Sequence, residues 1–136
     1  MGLDPEFNLQ HLSERLFHHL QAITDLPPYL DAPFFTELFA DIEVNIEMQV
    51  QSLYEDAVAL LILSKKLGLA TCLLSDFYLP ETHFRKMLAH HDLEKLLDHV
   101  LVSADYGVTK GASGRLYLEI MKRTGSPAGR MLVFGD

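Results

Sequence analysis

Apolar residues recur every three or four positions through the first half of the chain and then gather in short unbroken runs. That change of period predicts helices giving way to alternating helix and strand. Leu9, Leu12, Leu16, Leu20 and Ile23, widened by Phe17, predict a helix from Asn8 to about Ile23. Leu26-Pro27-Pro28 breaks it. Asp31 is placed to cap a second helix, with Pro33 tolerated in its first turn. Phe34, Phe35, Leu38, Phe39, Ile42 and Ile46 give that helix a broad apolar face, and Glu37, Asp41, Glu43 and Glu47 fall mostly on its wet side. A third helix is expected over Leu53 to Lys66, with Ala57, Val58, Leu60, Leu61 and Leu63 as its core. Lys65 and Lys66 suit the negative end of its dipole, and Gly68 stands where a C-cap glycine belongs.

The unbroken apolar runs are Ala70 to Ser75, His99 to Ser103 and Met131 to Asp136, each predicted as a strand. Between them, Glu81 to His90 reads as a short helix after Pro80, Asp92 as the cap of a further turn through Leu97, and Ser113 to Arg123 as a last helix. The predicted fold class is therefore α/β: a partial Rossmann-like parallel sheet of about three strands with an N-terminal helical, cap-like region. Residues 8–53 form the helical region and residues 54–136 the α/β part. Residues 1–7, Met-Gly-Leu-Asp-Pro-Glu-Phe, read as a vector-derived leader outside the fold.

Composition narrows the function. A chain of 136 residues with 49% hydrophobic and 22% charged content can bury a core, which excludes wholesale disorder. The net charge of −8 argues against a nucleic-acid binder, which needs a basic face. Cys72 is the only cysteine, so no internal disulfide forms, and its apolar neighbours suggest a small buried side chain in a reducing compartment. No apolar run is long enough for a membrane span and no secretory leader is evident, so membrane association is not expected and a cytoplasmic location is.

Each predicted strand ends in a residue able to handle a phosphate. Ligands bind at the carboxyl edge of open parallel sheets. Ser75 and the backbone amides after it, with Asp76, could bind a phosphoryl oxygen, or they could simply begin a turn. Lys110, in Val108-Thr109-Lys110-Gly111, could neutralise phosphoryl charge. Asp136 after Gly135 is a natural Mg²⁺ ligand. The histidine pairs His18-His19 and His90-His91 cannot both face one metal on a helix, no His-x-x-x-His occurs, and a zinc centre is not expected. No nucleophile elbow, Walker loop or dinucleotide glycine fingerprint is present.

The order of these parts resembles the haloacid dehalogenase (HAD) superfamily of phosphohydrolases. Leu73-Leu74-Ser75-Asp76 is similar to that family's second motif, Lys110 to its third and Val133-Phe134-Gly135-Asp136 to the start of its fourth. The resemblance implies Ser75 and Asp76 at a phosphate, Lys110 as the catalytic charge-neutralising lysine, Asp136 on Mg²⁺, and a small phosphorylated substrate. It also implies an Asp-x-Asp nucleophile, which the sequence lacks: Tyr78 stands two residues after Asp76 and Gly107 two after Asp105. The expectation is a HAD-like fragment without phosphatase turnover, whose incomplete sheet self-associates or takes a strand from another chain. The alternatives are a non-catalytic α/β interaction module and, less well matched, a phosphoacceptor signalling domain.

Overall fold

In the computed structural model, which describes residues 7–135, two packed helices lead through a third into a βαβ unit. Helix α1 spans Leu9–Ile23, α2 Ala32–Val50 and α3 Glu55–Lys66. Strand β1 (Cys72–Ser75) passes through α4 (Glu81–His90) to β2 (His99–Val102), followed by α5 (Ser103–Tyr106) and α6 (Arg115–Thr124). Short 3-10 turns lie at Glu94–Leu96 and Ala128–Arg130.

The ends of these elements follow local chemistry. The Asp31 carboxylate accepts the Phe34 N–H at 2.9 Å, so α2 starts on the expected cap. Gly68, with φ +70°, makes the left-handed turn after α3, and the Leu69 N–H reaches back to the Ser64 carbonyl at 3.0 Å. Asp92 differs from expectation. Its φ of +57° makes it the left-handed residue that ends α4, not the cap of a new turn. The Leu93 N–H bonds the Leu88 carbonyl behind it at 2.9 Å. Aspartate is among the few side chains that tolerate this backbone region.

The two strands pair in parallel, with Cys72 opposite His99 and Ser75 opposite Val102. Alternation along them divides the core. Cys72, Leu74 and Leu101 pack toward Val108 and toward Leu116 and Ile120 of α6. Leu73, Val100 and Val102 pack toward Phe84 and Leu88 of α4. A third cluster joins Leu9 of α1, Ala40 and Val44 of α2, and Leu79 and Met87, so the helical region is seated on α4 and the segment before it. Phe7, read as leader, touches the Tyr78 ring edge-on with centroids 5.8 Å apart.

The mixed α/β class and the parallel pairing are present, and the expected third strand is not. Among the described residues the sheet has two strands, and residues 131–135 form no ladder. Met131 packs against the α6-side core, whereas Leu132 is 90% exposed and Val133 and Phe134 are also exposed. An apolar run becomes a strand only against a partner edge, and this run forms no ladder with β1 or β2. The apolar faces of the helices also differ from expectation. Phe34, Leu38, Ile42 and Ile46 of α2 are exposed, while Ala40 and Val44 are its buried residues. No residue of α3 is fully buried, because that helix touches the rest mainly near the Glu94–Leu96 turn. Among the described residues, no helix is long and apolar enough to cross a membrane.

Candidate functional site

Parallel pairing brings the segments that follow β1 and β2 out at the same edge of the sheet. Ser75 is the last residue of β1 and half-buried, and Asp76 begins the turn after it. The Asp76 carboxylate reaches across to the segment beyond β2: Oδ1 accepts the Lys110 N–H at 2.6 Å and Oδ2 the Gly111 N–H at 2.8 Å. A Cβ on residue 111 would lie 3.2 Å from Asp76 Oδ2, so glycine there lets the backbone close on the carboxylate. Ser75, Asp76 and Lys110 thus belong to segments that meet at one edge. Asp136 lies outside the described residues.

Two further contacts fix this edge. The buried Ser103 Oγ accepts the Phe77 N–H at 2.9 Å and lies 3.3 Å from the Phe77 carbonyl. Asp105 Oδ2 accepts the Glu81 N–H at 2.7 Å, supplying an acceptor at the start of α4, where Pro80 has no capping side chain. Neither Ser103 nor Asp105 was legible as a fastener, because each acts on a segment more than twenty residues earlier in the chain. Two successive amides of the Lys110–Gly111 turn point the same way and hold the chain's own Asp76 carboxylate. Both Asp76 oxygens and one Asp105 oxygen accept backbone N–H groups, so both carboxylates are held to the backbone at this edge.

A second polar group lies between α2 and α4. Glu37 and Asp41 stand one turn apart on α2, facing His83 and Lys86 of α4. Glu37 Oε1 lies 3.4 Å from His83 Nε2 and 3.8 Å from Lys86 Nζ, and Asp41 Oδ1 lies 2.5 Å from Lys86 Nζ. Glu37 and His83 also border a cavity of about 520 Å³ lined by Ser13, Thr36 and Leu79 among others. Further along α2, Glu43 and Glu47 both approach the Tyr78 hydroxyl, at 2.7 and 2.6 Å. Burial, followed by hydrogen bonding to Glu47 and Glu43, pushes the Tyr78 phenol well above its ordinary range. The helical pattern puts these acids mostly on the wet side of α2, and Glu37 does remain largely exposed and Asp41 half-exposed. The available signal was the one-turn spacing of Glu37 and Asp41; nothing in the sequence aligned His83 with them.

No protein-family model and no curated protein matches the chain.

Proposed function

We propose that the chain is a HAD-like α/β unit that binds a small phosphorylated compound at the carboxyl edge of β1 and β2 without turning it over. The observation that carries this reading is the meeting of the post-β1 and post-β2 segments through Asp76 and the Lys110–Gly111 amides. In this reading the Ser75 hydroxyl donates to a phosphoryl oxygen and Lys110 neutralises its charge. The sequence has no Asp-x-Asp to form an aspartyl-phosphate, so covalent transfer is no part of it. The Rossmann-like sheet is completed when a further strand pairs with an open edge, supplied by a second copy or another polypeptide. A cytoplasmic setting belongs to the same reading, since small phosphorylated metabolites are found there.

The test is phosphate binding followed by ³¹P line broadening, with aryl phosphate hydrolysis assayed alongside. Inorganic phosphate binds saturably, and Lys110→Ala weakens it about tenfold, the scale of one charge-assisted hydrogen bond. Binding unchanged by Lys110→Ala, or Mg²⁺-dependent phosphate release by the purified chain, overturns the proposal.

A second reading, a non-catalytic module that docks a partner, is favoured by α3. That helix carries Ile62 and Leu63 exposed and has no buried residue.

A further inference from the structure

We propose that Glu37, Asp41 and His83 form a binding site for a divalent transition-metal ion of the Zn²⁺ class, independent of the strand-edge site. Among the described residues, these three alone bring a metal-type donor atom each into one group, all within 4.8 Å of one another. Clustered acids on an exposed helix face carry no such meaning by themselves. The second observation is the imidazole. His83 is 8% exposed, and its Nε2 is shielded from solvent with no hydrogen-bond partner among the described residues. At 3.4 Å, Glu37 Oε1 is close enough for an ion pair but does not form a hydrogen bond with it. On the other side of the ring, Nδ1 lies 3.3 Å from the Thr82 hydroxyl. In the tautomer that carries its proton on Nδ1, Nε2 offers its lone pair beside the two carboxylates, the form that ligates a metal ion. Such an arrangement calls for a cation. Without a metal ion the Lys86 ammonium supplies it from the side of the carboxylates, leaving Nε2 itself without a hydrogen-bond partner among the described residues.

The spacing and donor types specify the cation. Two ligands about 2.0–2.1 Å from a tetrahedral Zn²⁺ lie roughly 3.4 Å apart. The Nε2–Oε1 separation is 3.4 Å. The Asp41 and Glu37 side chains are 44% and 61% exposed, so their carboxylates can rotate to close the remaining gap. One imidazole with two carboxylates suits Zn²⁺ and its transition-metal neighbours, whereas Mg²⁺ favours an all-oxygen octahedron. Three protein ligands leave a fourth position for water or a ligand.

Lys86 gives the proposal its sharpest consequence. Its ammonium holds Asp41 at 2.5 Å and stands 3.8 Å from Glu37. An incoming metal ion must displace it from Asp41, and the side chain, 46% exposed, can withdraw into solvent. Lys86 is therefore a competitor of the metal. Removing it strengthens metal binding while weakening an ordinary ion-pair cluster.

The test uses the full chain, stripped of metal by a chelator and titrated with Zn²⁺ by calorimetry and with Co²⁺ by visible absorption. One equivalent binds, Zn²⁺ displaces Co²⁺, and His83→Ala, Asp41→Asn and Glu37→Gln each weaken binding by on the order of tenfold or more. Lys86→Met tightens it severalfold, and His90→Gln leaves it unchanged. Glu37 is largely exposed, so Glu37→Gln keeps the test decisive if His83→Ala fails to fold. Absence of saturable binding overturns the proposal. So do Glu37→Gln titrations that superimpose on the wild type, or weaker binding by Lys86→Met.

Discussion

Asp98 shows how one side chain sets a local acid limit. Its carboxylate accepts the Lys65 ammonium at 2.6 Å and the Thr71 N–H at 2.8 Å, tying the end of α3 and the entry to β1 to the start of β2. The Lys65 bond first, and then the Thr71 N–H, lower its pKa from 3.8 to about 2. A carboxylate whose folded pKa is depressed stabilises the fold above its ordinary pKa, and that contribution is lost as pH falls through the folded value. Stability therefore falls between pH 3.8 and about 2. Asp98→Ala costs about 1 kcal/mol at neutral pH through the lost Thr71 bonds, and flattens that acid limb. Urea unfolding at several pH values checks both outcomes; an unchanged acid limb counts against the assignment. At this scale the sequence was partly legible. Lys110 stands out through its glycine-flanked place beyond a strand, and Asp76 reads either as part of a phosphate site or as a turn residue. The partners of Asp98 and His83 were hidden, because the contacting residues lie far apart along the chain and no spacing rule joins them.

Among the elements, helices were read more closely than strands. The stripe through Leu9 and Phe17, the Asp31 cap and the Gly68 turn are local features, and each element formed where they placed it. Strand identity depends on a partner, which is why Met131-Leu-Val-Phe134 reads as a strand and forms none. Burial was misjudged for a related reason: hydrophobicity marks a face that can be covered, and only Ala40 and Val44 of α2 lie deep against neighbours. The turn at Lys110 and Gly111 is held by Asp76, so Asp76→Ala frees two amides at once. Hydrogen exchange at those amides rises on the order of tenfold, as expected from losing bonds to a charged acceptor, while the core amides of Leu101 and Val102 stay protected. Equal loosening of the core would show that Asp76 supports the whole sheet instead.

For the whole molecule, exposed apolar surface is the dominant feature. Val50, Leu53, Ile62, Leu63, Leu67 and Leu69 are exposed around α3, and Leu132, Val133 and Phe134 beyond α6. Unpaired strand edges add to it. The proposed sheet completion predicts a light-scattering mass that rises with concentration, and Leu63→Glu with Leu132→Glu returns it toward the monomer while far-ultraviolet circular dichroism is retained. A strictly monomeric mass at all concentrations removes this part of the reading. The acceptor that Asp105 supplies at the start of α4 has a consequence of another kind. The crossover helix begins on a proline and receives that partner from a residue 24 positions later. The Glu81 N–H lacks its acceptor whenever the segment after β2 is out of place, so the first turn of the crossover helix and the end of the second strand gain their stability jointly.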